Sequence, residues 1–315
     1  MHTAAETNDL DRVSKMLVVS SNCLDDNIPK MYDLISEILN ETKWDDSTHL
    51  KTVIAGTCTE LMNSVAQSGH SYAMRAASSH LSLSQYYGEL YNGISQVKFM
   101  GSLHSSIENM LPEITRALKE ISNLLKNSKL RFSVNTESDM EIIHQNQMER
   151  FSKSLNCESP SDFKAPSNFL LTEKPIQTFY CTPFSVYYTG KSFRCVPYNH
   201  RDGPALQTLS HLMTNKYLHM ELREKGGAYG GRAMYNPLCG TLQMMSYRDP
   251  KVFRTLKTYN NVVDWSKKIA QTLTVSDLNE AKLNIFQVRF YSLIIRNLMP
   301  LLTPLLKELT NFIAI

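Results

Sequence analysis

The sequence predicts an α+β protein, with a helix-rich first unit followed by a second unit that mixes strands and helices. Three observations lead there. Apolar residues recur at helical spacing through most of residues 28–126, β-type runs punctuated by glycine fill much of residues 177–248, and a stretch with little periodicity lies between them. On that basis residues 1–150 form the helix-rich unit and 151–176 an interdomain linker. Residues 177–287 form the mixed unit, and 288–315 a divergent apolar tail.

Residues 13–20, Val-Ser-Lys-Met-Leu-Val-Val-Ser, read as a short opening strand. A helix follows with Pro29 near its start and Met31, Leu34, Ile35 and Ile38 on one face. Asp46 and Ser47 can cap a second helix that carries Leu50, Val53, Ile54, Cys58, Leu61 and Val65. A third helical region, about 71–92, is rich in Ala, Ser and Tyr, which suits close packing. The longest stripe, Ile107, Met110, Leu111, Ile114, Leu118, Ile121 and Leu125, predicts a helix over about 105–126. Leu130, Phe132 and Val134 then alternate as a strand. Ser-Pro and Ala-Pro steps mark the linker.

The second unit begins with two strand candidates, Gln177–Tyr188 and Ser192–Tyr198, joined by a turn at Thr189-Gly190-Lys191. A helix over about 204–224 buries Leu206, Leu209, Leu212, Met213 and Tyr217 and stops at Gly226-Gly227. Strand-like segments fill 228–248. Asp249-Pro250 reads as N-cap and first-turn proline of a helix with Trp265 on its buried side, and Ser276 as the cap of a further one.

Composition narrows the function classes. The net charge of +3 over 315 residues, without a basic stripe, argues against nucleic acid and against an anionic membrane surface. Six widely spaced cysteines offer no CxxC pair and read as reduced thiols. The amino terminus is acidic before Arg12, so neither a transit peptide nor a signal peptide is expected, which hints at a missing upstream portion.

None of the nine histidines belongs to an HExxH or HxxEH arrangement. His211 and His219 share the predicted helix but lie about 12 Å apart along its axis, too far to hold one ion. One constellation stands out, Arg223-Glu-Lys-Gly-Gly-Ala-Tyr229-Gly-Gly231. Its simple reading is a helix end, with Arg223 and Lys225 complementing the dipole, glycines capping and Tyr229 packing. Its functional reading is a peptide site. Bare backbone at Gly226, Gly227 and Gly230 admits another chain, an exposed strand edge adds a peptide, Arg223 holds a carbonyl or carboxylate, and the Tyr229 hydroxyl donates to an oxyanion.

The run LHMELREKGGAYGG, followed by MMSYRDPKVFRTL and VDWSKK, resembles the second half of presequence proteases, a branch of the pitrilysin/insulinase peptidases. The upstream pieces VVSSNCLDDNIPKMYDLISEI, QSGHSYAMRAA and FSVYYTGKSFRCVPY resemble the same family in the same order, so the likeness covers roughly residues 13–286. The resemblance implies a clamshell of two homologous halves, each with two α/β domains. The first half carries an inverted HxxEH zinc site. The second closes the chamber and lends an Arg and a Tyr, here Arg223 and Tyr229, to the bound peptide. The implied substrates are short unstructured peptides such as cleaved mitochondrial targeting sequences, degraded in the matrix without ATP. The implied zinc belongs to the catalytic half, which is the expected partner, and this chain alone is expected to hold no metal and to be inactive.

The chain departs from that pattern at Arg232, where a small residue is expected, and after Gln287, where the likeness stops. The tail reads as an artefact of gene prediction or splicing, with a genuine alternative terminus docking as a helix as the lesser account. Its charges and prolines do not suit a membrane span. Two other readings remain open on sequence alone: a non-catalytic peptide-binding or scaffold protein of the same fold, and a truncated product with unpaired strand edges that folds poorly.

Overall fold

The computed structural model describes residues 2–5, 9–155 and 176–287. The linker residues 156–175 and the tail 288–315 lie outside these, so the expectations placed on them do too. Strands β1 (His2–Ala5) and β2 (Val13–Met16) pair as a small sheet. Residues 17–20, expected to continue β2, are not strand, and Leu17, Val18 and Val19 are exposed.

Two compact units follow, and neither is continuous in sequence. One gathers residues 15–65 with 90 onward to the linker; the other gathers 9–14 and 66–89 with 176–287. The second predicted helix runs on into the first part of the third as α2 (Ser47–Ser78), kinked at Ser68 where φ is −126° and ψ 30°, and the rest of the third region is a separate helix, α3 (Leu83–Asn92). Residues of α2 up to Val65 belong to the first unit and the rest of it to the second. Asp46 caps α2 as expected, its Oδ1 accepting the His49 N–H at 2.9 Å.

The first unit is built from α1 (Ile28–Glu41), the start of α2, the end of α3 (Leu83–Asn92), α4 (Ile94–Ser105), α5 (Ile107–Lys126) and α6 (Glu141–Ser154). The sequence reading missed α6, which packs Phe151 and Leu155 onto Ile28 and Tyr32 of α1. That pairing decides which face of α1 is inside. Leu34 and Ile38, assigned to its buried stripe, are 58% and 55% exposed, while Ile28 and Tyr32 are buried. A second cluster joins Ile54, Met100 and Leu103, with Ile107, Met110 and Ile114 against it, whereas Val53 and Ile121 lie outside. Leu130, Phe132 and Val134 form no strand, because no described strand runs beside them to accept the ladder bonds. Phe132 instead sets its ring edge-on to Phe151 at 6.0 Å.

The second unit centres on a three-stranded antiparallel sheet in the order β3 (Tyr187–Arg194), β5 (Thr241–Asp249), β4 (Gly230–Asn236). The turn expected at 189–191 is the middle of β3, and residues 177–186 form no strand. Gly190 is there for a different reason than turning: a Cβ on it would meet the Ala73 carbonyl oxygen of α2 at 2.5 Å.

Helix α7 (Gly203–Met213) runs on as a π-helical stretch over Thr214–Glu224. Its core residues Tyr217 and Leu218 lie four and five positions after Met213, and Leu222 five and four after them, the spacing of a widened turn. They pack with Ala233 and Met244 of the sheet and with Tyr259 and Val262 of α8 (Val252–Thr272). Trp265 stacks on Tyr217 at 5.1 Å, on the inward side as expected. The helix starts later than Asp249-Pro250 implied. Asp249 is the last residue of β5, fully buried, and its Oδ1 accepts the Lys251 N–H at 2.8 Å. A last helix, α9, covers residues 275–287. Its cap is Thr274 rather than Ser276: Thr274 Oγ1 accepts the Asp277 N–H at 3.1 Å and Asp277 Oδ2 accepts the Thr274 N–H at 3.0 Å.

Between β3, β5 and α8 sits a buried hydroxyl network. Thr189 Oγ1 lies 2.7 Å from Ser246 Oγ and 2.8 Å from the Tyr259 hydroxyl, and burial pushes the Tyr259 phenol well above its ordinary pKa. Thr189 and Ser246 keep each other when Tyr259 loses its oxygen. Tyr259→Phe is therefore expected to cost only about 1 kcal/mol in denaturant unfolding. A loss of several kcal/mol would mean that the network acts as a unit. No described helix is long and apolar enough to cross a membrane.

Candidate functional site

The Arg223–Gly231 segment is where the π-helical stretch ends, the chain reverses, and β4 begins. The closure resembles a Schellman motif one residue wider than usual. The Ala228 N–H bonds the Leu222 carbonyl at 2.9 Å and the Gly227 N–H bonds the Arg223 carbonyl at 3.0 Å. Gly227 supplies the left-handed residue, with φ +83°. A Cβ at Gly226 would meet the Leu222 carbonyl oxygen at 2.4 Å, and one at Gly231 would meet the Leu222 side chain at 2.3 Å. These three glycines therefore answer to the fold. Gly230 does not, since nothing lies within 4 Å of where its Cβ would be.

The side chains around this corner point outward. Arg223 is exposed, and its Nη1 donates to His219 Nε2 at 3.2 Å. Since a guanidinium only donates, His219 Nε2 accepts and the ring proton sits on Nδ1, which faces Glu224 Oε1 at 3.6 Å. Lys225 pairs with Glu221 at 2.6 Å, and Arg254 of α8 donates to the Lys225 carbonyl at 2.8 Å, tying the turn to the next helix. Tyr229 is 68% exposed, and its hydroxyl has no partner among the described residues. Its backbone is fixed, the N–H bonding the Tyr247 carbonyl at 3.0 Å, and its ring meets Tyr247 edge-on at 5.7 Å.

Behind Tyr229 lies an aromatic stack that the sequence reading did not single out. Tyr247 also contacts Tyr188 at 5.7 Å and His70 at 5.0 Å, and the Tyr188 hydroxyl donates to the Ala66 carbonyl at 2.6 Å. Burial lowers the His70 pKa, and its Nδ1 is enclosed without a hydrogen-bond partner among the described residues. These residues come from α2, β3 and β5, so no linear motif could have joined them.

One expectation about the site changes. The edge of β4 is not uniformly open: Thr214 Oγ1 accepts the Ala233 N–H at 2.9 Å and lies 3.0 Å from its carbonyl oxygen, covering the strand there. His211 and His219, already expected to lie too far apart to share an ion, have separate partners. His211 bonds Asn215 at 2.8 Å, and burial together with the Arg232 charge lowers its pKa. Arg232 itself is exposed on β4 opposite Met245. Among the described residues no group of three or more His, Cys, Asp or Glu is placed to hold a metal ion, and the zinc implied by the resemblance is expected on the other half. The described cysteines Cys23, Cys58, Cys181, Cys195 and Cys239 are unpaired.

Two family models match the chain: "Peptidase M16C associated" over residues 1–103 and "PreP C-terminal domain" over residues 177–293. The second match runs a few residues past Gln287, where the likeness was expected to stop. Among curated proteins, the mitochondrial presequence protease of Yarrowia lipolytica is 40% identical over 266 residues, covering 84% of this chain and 26% of that protein. Its Saccharomyces cerevisiae counterpart is 36% identical over 265 residues, 82% of this chain and 27% of that protein. That of Danio rerio is 33% identical over 303 residues, 89% of this chain and 29% of that protein. The chain thus spans between a quarter and a third of the length of these curated relatives.

Proposed function

Because this chain belongs to the presequence protease family, we propose that it forms part of the carboxy-terminal, chamber-closing half of a zinc metalloendopeptidase acting on short unstructured peptides. Residues 1–150 and 177–287 correspond in this reading to the third and fourth α/β domains of a pitrilysin-type clamshell. The substrates include cleaved mitochondrial presequences, and the site of action is the mitochondrial matrix, in keeping with the names its relatives carry. The metal and the activated water come from an amino-terminal half. What this chain supplies is binding and charge stabilisation: Arg223 holds a backbone carbonyl or a carboxylate, and the Tyr229 hydroxyl donates to the oxygen that becomes negative in the transition state.

The observation that carries this reading is the Tyr229–Gly230 pair. A large polar aromatic side chain stands 68% exposed, and among the described residues its hydroxyl has no partner and nothing lies within 4 Å of a Cβ on the glycine beside it. Packing explains neither, while a peptide lying across the start of β4 explains both.

The test is cleavage of a quenched fluorescent presequence peptide by this chain mixed with a separately produced zinc-bearing half, each half alone serving as control. Turnover is expected only in the mixture. Turnover by the metal-free chain alone, or none in a mixture that forms a stable complex, would overturn the proposal.

A further inference from the structure

Among the described residues, Arg248 is the only one other than glycine with a positive φ, at 49°. It sits in an irregularity of β5. Tyr187 pairs with Asp249 and Thr189 with Ser246, so two residues, Tyr247 and Arg248, oppose Tyr188 alone. A bulge of this kind takes glycine at its left-handed position, because any Cβ there crowds the backbone. An arginine in that place is a fold-level disadvantage that needs another justification.

The geometry around it supplies one. The Arg248 guanidinium stands 5.5 Å from the centroid of the Tyr247 ring, and the same ring receives Tyr229 edge-on at 5.7 Å. The Tyr229 N–H is shared between the carbonyls of Tyr247, at 3.0 Å, and Arg248, at 3.4 Å. Arg248 is exposed and makes no ion pair among the described residues. The adjacent Asp249 does not neutralise it, being fully buried and bonded to the Lys251 N–H and the Thr255 hydroxyl. A permanent cation is thus held on an aromatic face beside Tyr229, with its donors unbonded among the described residues.

We propose that Arg248 is a binding residue for a carboxylate of the peptide that passes Tyr229, either its terminal carboxylate or an acidic side chain. The proposal rests on the peptide-site reading above. The bulge aims the guanidinium at the site, and the left-handed backbone is the strain that accompanies this aim. Tyr247 orients it from beneath, leaving the guanidinium fork to bond the two carboxylate oxygens.

The experiment measures binding of three fluorescein-labelled ten-residue peptides to the intact chain by anisotropy. One is neutral and amidated, one has a free terminal carboxylate, and one is amidated with an internal glutamate. The wild type is expected to bind at least one carboxylate peptide about tenfold more tightly than the neutral peptide. Which one identifies the source of the carboxylate. Arg248→Gly is expected to erase that preference while melting at the same or a higher temperature, since glycine suits φ 49°. Arg248→Lys is expected to keep part of it. A glycine variant that retains the preference overturns the proposal, as does one that melts lower than the wild type, which would make the guanidinium a structural prop. Wild-type binding of all three peptides alike would remove the role of Arg248 but leave the peptide site standing. Binding of none would remove both.

Discussion

Gly190→Ala is expected to destabilise the second unit by about 3 kcal/mol, lowering its thermal midpoint by roughly 6–12 °C. The added Cβ would lie 2.5 Å from the Ala73 carbonyl oxygen, 2.6 Å from its carbon and 2.7 Å from the Met74 nitrogen. All three are backbone atoms inside α2, so no rotamer change relieves the overlap. Either the helix moves off β3 or β3 leaves its register with β5. Neighbouring anchors make the first response costly. The Tyr188 hydroxyl is bonded to the Ala66 carbonyl, and Gly69 has the Tyr188 ring where its own Cβ would be, at 2.3 Å. Gly56 gives the opposite sign within the same helix. It is exposed, with nothing within 4 Å of a Cβ, so Gly56→Ala is expected to stabilise by about 0.5–1 kcal/mol through helix propensity alone. Measuring both by thermal unfolding separates close packing from propensity. A Gly190→Ala protein that melts with the wild type would mean that α2 and β3 do not approach as described.

Loss of Arg223 or of the Tyr229 hydroxyl is expected to cost the assembled peptidase about 100-fold in kcat/KM without unfolding the chain. Tyr229→Phe removes one oxygen from a side chain that is 68% exposed and has no described partner for that oxygen. Its ring contact with Tyr247 and its backbone bonds remain, so the melting temperature is expected to stay put. The deficit should fall on kcat, because the donor matters when the substrate oxygen gains charge. Arg223→Ala leaves the helix end intact, since its closure rests on backbone bonds and Gly227, and frees only the contact with His219 at 3.2 Å. Its deficit should fall on KM instead, since an arginine that grips a carbonyl or carboxylate binds ground state and transition state alike. The measurement is steady-state cleavage of a quenched presequence peptide by the reconstituted halves. Unchanged kcat/KM for either variant would remove that residue from the site.

Legibility in the sequence varied with the range of the interaction. Helices whose inward face follows a regular period were read correctly as elements, yet α1 shows how little that says about burial. Leu34 and Ile38 fit the stripe and stand exposed, because the helix turns toward Phe151 and Leu155 of α6. Helix α6 itself was missed, being short of apolar residues and recognisable only through what it covers. Gly190 was read as a turn because glycine usually signals one. Its actual reason, a helix backbone more than a hundred residues away in sequence, leaves no local trace. The glycine run after Arg223 was the converse case. Its helix-ending role follows from local rules, and the distinction between Gly230 and its neighbours does not.

The sequence by itself determined the α+β class, most helix positions and the stop at Gly226-Gly227, and it singled out Arg223 and Tyr229 as the pair to test. Each of these follows from interactions between residues a few positions apart, or from a run of residues long enough to carry a likeness. Only the tertiary structure decided that α2 is shared by two discontinuous units, that β3 runs straight through Gly190, and that Thr214 covers β4 at Ala233. It alone brought His70, Tyr188, Tyr247 and Arg248 behind Tyr229. The physical reason is that strand edges, bulges and aromatic stacks are satisfied by whichever partner the fold delivers, and that partner is chosen by packing across the whole unit rather than by the residues on either side.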